Sequence, residues 1–382
     1  MFRRNSIAAV LAAILFGMTG CAQQDDQSIR IGAVGPMTGD QSKMGVDLRN
    51  AAELAVGEWN EKGGVLGRKI TLLPGDDQAD PKQAVSIANK FINQKVAAVV
   101  GHWNSSCSIP ASKYYQDANV VMITPATTNP KLTQQGFHNV FRVCGTDDQQ
   151  GRIAAAFILA SGRYKRIAII HDKTAYGQGL ADYFKQALGT RVQVVYYGGI
   201  VQRDSDYKAV LTAIKETKAD LYYFGGIYPE AGRLVRQARE IGLNIPMMTG
   251  DGVYDPTFIN IAGKSAEGTY VTFGKDPAGL TTAKLFMEKY RKSYGEPGPY
   301  SIYAYDAANI ILTAIERTGI IEKDPKTGKE TLVIDGRKMA VYISRTTFQG
   351  AFGDISFDKN GDVTRAPYVV WQVKDGVFKQ VQ

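Results

Sequence analysis

Short apolar runs closed by glycine or polar residues recur along this chain, with stretches of helical periodicity between them. IRIGAVG (29–35), KITLLPGDD (69–77), VAAVVG (96–101), VVMIT (120–124), RIAIIHD (166–172), VQVVYYGG (192–199), LYYFGG (221–226) and IPMMTGDG (245–252) are such runs. Each is too short for a helix and too continuously apolar for a strand with one wet face, so each predicts a parallel strand buried on both faces. Between them, Leu180, Tyr183, Phe184, Ala187 and Leu188 recur at helical spacing before Gly189, and Leu234, Val235, Ala238 and Ile241 do so before Gly242. The alternation predicts an α/β fold of open parallel sheets flanked by helices.

The chain is long for one such sheet. Its 382 residues contain 44% hydrophobic and 21% charged residues, ordinary for a globular protein of about two domains. The first strand–helix series runs to NVFRVCGTDDQQG (139–151), and a second begins at RIAIIHD. The tail departs from the rhythm: GAFGDISFDKNGDVTRAPYVVWQVKDG reads as antiparallel hairpins turning at Asn360-Gly361.

The start is a different kind of segment. Arg3 and Arg4 precede an apolar run from Ile7 to Phe16, too short to span a bilayer, so residues 1–20 read as an export leader. Met18-Thr19-Gly20-Cys21 resembles a lipoprotein box with methionine in the usual leucine position, which makes Cys21 the candidate lipidation site and 21–28 a tether. An exported, periplasmic or cell-surface protein is expected, with the membrane reached only through that lipid. Cys107 and Cys144 could then form a disulfide or remain two buried thiols, and the sequence leaves both open.

Basic residues are scattered despite a formal net charge of +8, so no nucleic-acid surface is expected. Catalytic signatures are missing as well: no H-E-x-x-H, paired C-x-x-C, G-x-S-x-G or G-x-x-x-x-G-K-[ST] occurs. Asp358 to Asp362 faintly resembles a calcium loop, but Val369 stands where the bidentate glutamate belongs, and a hairpin turn is the better reading. Neither a catalytic residue, nor a metal, nor a cofactor is expected.

GHWNSSCSIPAS (101–112) is more polar than a helix cap requires. In an open α/β sheet, ligands bind beyond the carboxyl ends of the strands, where helix N–H groups also point. This stretch, PATTNP (125–130), HDKTAYGQG, GGIYPEAG and TGDGVYD all follow strands, and two such rims facing each other would make a cleft.

With GAVGPMTGDQ, GGVLGRKI, DDQADPKQAV, FRVCGTDDQQG and IAGKSAEGTYVT, these segments resemble, in order from about 29 to 375, the branched-chain amino-acid-binding (leucine/isoleucine/valine-binding) proteins of bacterial ABC importers. The resemblance implies a two-lobed type I periplasmic-binding-protein fold: 29–145 with 275–351 as the first lobe, 146–274 with 352–382 as the second, and a hinge of three crossings. It implies that Ser105, Ala126 and Thr128 hold the α-carboxylate and α-ammonium, that Tyr176 covers the ligand from the second lobe, and that Asp251 replaces a glutamate paired to the ammonium. Positions matching the side-chain pocket are Met44, Ile227 with Tyr228 beside it, and Tyr300. A disulfide of the family's prototypes is absent, because its places are Ala79 and Asn104.

Each residue also has a plainer reading. Ser105 could be only a cap, Thr128 or Asp251 only a turn residue, Met44 only packing, and Trp103 and Tyr176 ordinary aromatics. The expected function is capture of a small aliphatic (branched-chain) amino acid and delivery to ABC permease transmembrane subunits, by a monomer. Other readings are a ligand-sensing domain, a carrier for an aromatic or short-chain carboxylate lacking an ammonium, and a hydrolase.

Overall fold

The computed structural model describes residues 28–381; the leader, Cys21 and most of the tether lie outside the described residues. The first series is β1 (Ile29–Gly35), α1 (Ser42–Glu61), β2 (Ile70–Asp76), α2 (Pro81–Asn93), β3 (Ala98–Val100), α3 (Ser105–Asp117), β4 (Val121–Thr124) and β5 (Val140–Arg142). Its five strands form a parallel sheet in the order β2-β1-β3-β4-β5. Helix α2 shows how local chemistry sets the boundaries: Asp80 accepts the N–H groups of Lys82 (2.8 Å) and Gln83 (2.9 Å), and Pro81 occupies the first turn.

The second series is α4 (Asp147–Ser161), β6 (Arg166–His171), α5 (Ala175–Leu188), β7 (Gln193–Gly199), α6 (Lys208–Glu216), β8 (Leu221–Gly225), α7 (Tyr228–Glu240), β9 (Met247–Thr249), α8 (Pro256–Ala262) and β10 (Tyr270–Gly274). The chain continues with α9 (Thr281–Tyr294), α10 (Ser301–Thr318), the hairpin β11 (Ile320–Lys323) and β12 (Glu330–Val333), α11 (Gly336–Arg345), and the hairpin β13 (Phe348–Gly350) and β14 (Gly353–Ile355). It ends with β15 (Tyr368–Lys374) and β16 (Val377–Gln380). The second sheet has the order β16-β15-β10-β9-β8-β6-β7, with β15 antiparallel to both β10 and β16 and the other pairs parallel.

Helix α10 returns to the first sheet, lying on α1, β3 and β4. There Trp59 Nε1 donates to Asn309 Oδ1 (2.9 Å) and the Tyr305 hydroxyl to Glu58 (2.6 Å). The chain therefore passes between the sheets three times: from β5 to α4, from β10 to α9, and from β14 to β15.

The continuous apolar runs follow from this layering. Val99 packs with Phe91, Cys107 and Tyr115 on one face of the first sheet, while its neighbours Ala98 and Val100 face α1 and α10. In the second sheet Ile167 and Ile169 meet Leu180 and Phe184, while Ala168 and Ile170 point to the opposite side. With helices on both faces, no strand needs alternate polar residues.

Three details answer questions left by the sequence. Cys107 and Cys144 are separate buried thiols. The 358–362 stretch is a turn, in which Asp358 Oδ1 accepts the N–H groups of Asn360 (2.8 Å) and Asp362 (3.0 Å). Met44 packs in the first-sheet core with Leu48, Ala51 and Ala55, residues that share its helix face.

Candidate functional site

The carboxyl ends of the two sheets face each other across a cleft. From the first sheet, Ala79 follows β2, Gln41 follows β1, the run Trp103 to Ser106 follows β3, Ala126 follows β4, and Tyr300 precedes α10. From the second, Asp251 and Gly252 follow β9, Ile227 follows β8, Asp172, Thr174 and Tyr176 follow β6, and Gln202 follows β7.

The first-sheet wall is held by buried polar bonds. Asp76 accepts Met37 N–H (2.8 Å) and the Thr38 hydroxyl (2.6 Å), fixing the loop that carries Gln41. His102 Nδ1 bonds Asp77 (2.7 Å), and the hydroxyl of Thr124 donates to the His102 carbonyl (2.8 Å) while accepting Thr127 N–H (3.0 Å), which shapes the loop presenting Ala126. Asn104 precedes α3 yet makes no side-chain capping bond; its amide donates to Gln41 Oε1 (2.7 Å). The first backbone N–H groups of α3, at Ser105 and Ser106, have no intrahelical partner and lie at the cavity wall. The Ser105 hydroxyl accepts Asn129 N–H (3.4 Å), which leaves its own proton to donate.

On the second side Asp172 Oδ1 accepts both the N–H (2.9 Å) and the hydroxyl (2.7 Å) of Thr174, which in turn caps α5 through Gly177 N–H (2.9 Å). A side chain at Gly177 would put Cβ 2.2 Å from Asp172 Oδ1, so this turn requires glycine. Tyr176, on the first turn, then reaches Asp251. Asp251 Oδ1 accepts the Tyr176 hydroxyl (2.7 Å) and Gln150 Nε2 (2.8 Å), and Oδ2 accepts the hydroxyl of Tyr300 from the other lobe. Gln150 Oε1 closes the network by accepting Asp251 N–H (3.0 Å) and the Thr272 hydroxyl (2.8 Å).

Burial pushes the Asp251 carboxyl above its ordinary value, opposed by the donors Tyr300, Tyr176 and Gln150. Asp147, fully buried nearby, is pushed well above the carboxylate range by burial and then by the charge of Asp251. Burial raises Asp172 to about 6 against its bonds from Thr174. An ionised carboxylate has about four acceptor positions. Three of those on Asp251 are filled, which leaves one on Oδ2.

Of the residues singled out by sequence, Ser105, Ala126, Tyr176, Ile227, Asp251 and Tyr300 line the cavity. Met44, Thr128 and Tyr228 do not. Met44 faces the core, Thr128 lies buried with its carbonyl accepting Asp147 N–H (2.9 Å), and the Tyr228 hydroxyl crosses the cleft to the Asp40 carbonyl (2.7 Å). Met44 and Tyr228, expected at the side-chain pocket, and Thr128, expected at the α-carboxylate and α-ammonium, are thus placed outside the lining of this cavity. Gln41, Asn104, Asp172, Thr174 and Gln202 line the cavity without having been singled out as ligand contacts. All follow strand ends, which is the one sequence signal they carry.

Residues 28–377 match the periplasmic binding protein family. The chain is 37% identical over 377 residues to the Leu/Ile/Val-binding protein homolog 2 of Brucella abortus, covering 98% of this chain and 97% of that one. It is similar in structure to the leucine binding protein LivK of Thermotoga maritima (TM-score 0.82, 31% identity, 93% of this chain and 98% of the other). It is also similar to LivJ of Streptococcus pneumoniae, a branched-chain amino acid transporter substrate binding protein solved in complex with isoleucine (TM-score 0.81, 25% identity, 93% and 100%). With that match extending over both sheets and all three passages between them, the chain belongs to the periplasmic binding protein family.

Proposed function

We propose that this protein is the extracytoplasmic substrate-binding component of an ABC importer, capturing a small α-amino acid of the branched aliphatic class between two lobes and delivering it unchanged to permease subunits. The observation that carries the reading is the Asp251 hub: a buried carboxylate at the cavity, held by three donors and with one acceptor position left. An ammonium group fits that position. The Ser105 hydroxyl and the free N–H groups starting α3 supply donors for the carboxylate of the same ligand. The names of the relatives support the branched-chain class.

In this reading 29–145 with 275–351 and 146–274 with 352–382 move as two bodies, and ligand favours the closed arrangement because it touches both. Cys21 carries the lipid that tethers the exported protein, so Cys21→Ser should release it in soluble form. Incubation with radiolabelled leucine tests the carrier function: the label should be recovered from the protein as leucine, and conversion to another compound would refute it.

A further inference from the structure

Four cavity residues have a chain neighbour that crosses the cleft. Gln41, Ala79, Gln202 and Ile227 line the cavity, whereas Asp40, Gln78, Arg203 and Tyr228, each one position away, do not. They touch the opposite lobe instead. The Tyr228 hydroxyl donates to the Asp40 carbonyl (2.7 Å), and Arg233 Nη2, on the second turn of the same helix, lies 3.6 Å from Asp40 Oδ2. Arg203 Nη2 donates to the Gln78 carbonyl (3.4 Å). A fourth contact lies beyond the end of β9. Asp255 is fully buried; its Oδ1 accepts Thr257 N–H (2.7 Å), and its Oδ2 has no hydrogen-bond partner. Lys43 Nζ, on α1 of the first lobe, stands 3.9 Å from that oxygen while bonding Asp47 (2.5 Å) in its own lobe.

Each side of this rim is held within its own lobe. Asp76 fixes the loop that leads to Asp40, and Glu230 Oε1 on α7 accepts Arg203 N–H (3.0 Å), so the arms carrying Arg203 and Tyr228 belong to one body. None of the four contacts involves a cavity-lining side chain, and all of them need the lobes together. Their free energy therefore favours the closed arrangement by the same amount whatever the cavity holds. Tyr228 dominates among them. It is only 2% exposed, so its bond is shielded from water. The side chains of the Arg233–Asp40 pair are 28% and 50% exposed, and an ion pair so open to solvent contributes little.

We propose that Tyr228, flanked by Arg233 and Lys43, is a rim latch: it holds the lobes closed without touching the ligand, and it sets how long a ligand stays, not which ligand is chosen. The proposal rests on the carrier reading given above, in which the ligand leaves through an opened cleft. It gives Tyr228 a role unlike that of a side-chain pocket residue, whose alteration changes the binding of different ligands unequally.

Stopped-flow dissociation and calorimetric titration of leucine and of valine with Tyr228→Phe test it. The variant keeps the ring and loses the hydroxyl. Removing one hydrogen bond of the closed form should speed dissociation and weaken binding of both amino acids by the same factor, about 5-fold. Association rates should stay within about 2-fold of the wild type, because the bond forms after the ligand has entered. Arg233→Gln should speed dissociation about 2-fold at low ionic strength and leave it unchanged at about 0.5 M salt, where the exposed pair is screened. Unchanged dissociation of both amino acids from Tyr228→Phe would overturn the latch and leave the carrier intact. A loss confined to one of the two, or carried by the association rate, would also overturn it. Failure of both amino acids to bind the wild type would overturn the carrier reading itself, and the latch with it.

Discussion

The hydroxyl of Tyr300, at the start of α10, donates to Asp251 Oδ2 beyond the end of β9, so one hydrogen bond joins the two lobes at the bottom of the cleft. Tyr300 is also set edge-on against Trp103 of its own lobe (6.1 Å between ring centres) and Phe273 of the other (5.5 Å). Its ring and its hydroxyl therefore both depend on the lobes being together.

Tyr300→Phe keeps the ring contacts and removes the bond. Hydrogen bonds to charged groups contribute roughly 1.5–3 kcal/mol, so the variant should bind leucine at least ~10-fold more weakly if the bond forms only on closure. X-ray scattering gives the structural readout. Leucine should reduce the radius of gyration of the wild type, and the variant should need a higher concentration for the same change.

Arg142 ties one passage between the lobes to another. Its fully buried guanidinium bonds Asp362 (2.8 Å from Nε), the carbonyls of Thr127 (3.0 Å) and Asn129 (2.8 Å), and the Thr133 hydroxyl (2.7 Å). Breaking a buried ion pair by removing one partner costs about 3–5 kcal/mol. Urea unfolding of Arg142→Ala should show a loss in that range, and Arg142→Lys should restore little, because an ammonium cannot reproduce the planar fork.

Asp306 gives the fold a pH dependence of definite sign. Buried on α10, it accepts the N–H groups of Ala351 (2.6 Å) and Phe352 (3.0 Å) at the approach to the third passage. Burial raises its pKa from 3.8 to about 7, with those two N–H groups pulling the other way. A folded value above the unfolded one means that protonation favours folding: the contribution is fully present below about pH 4 and is lost as pH rises to about 7. Asp306→Asn removes the titration. Calorimetric stability of the wild type relative to this variant should fall between pH 4 and 7 and level off above; parallel curves would contradict the assignment.

The layered fold was legible because strands buried on both faces must be apolar throughout, as in RIAIIHD, and because Gly189 and Gly242 mark helix ends. Met44 shows a signal present but underused: its spacing to Leu48, Ala51 and Ala55 already placed it on the buried face of α1. Gln150 shows the reverse. Nothing near it in the chain points to Asp251, 101 positions away, and only the path of the chain from β5 into α4 brings them to 2.8 Å. The pairing of Asn104 with Gln41 is likewise a product of strand order, β1 lying beside β3.

The proposed carrier role rests most on Asp251 as the partner of a ligand ammonium. Calorimetric titration of the wild type and Asp251→Ala with leucine and with 4-methylpentanoate, the same molecule without its amine, measures that directly. Truncating one partner of a buried hydrogen-bonded charge pair costs roughly 2–5 kcal/mol, so the variant should bind leucine at least ~30-fold more weakly, and the wild type should prefer leucine to the des-amino acid by a similar factor. Tighter binding of 4-methylpentanoate than of leucine by the wild type would contradict the account, because the site would then be built for a carboxylate alone.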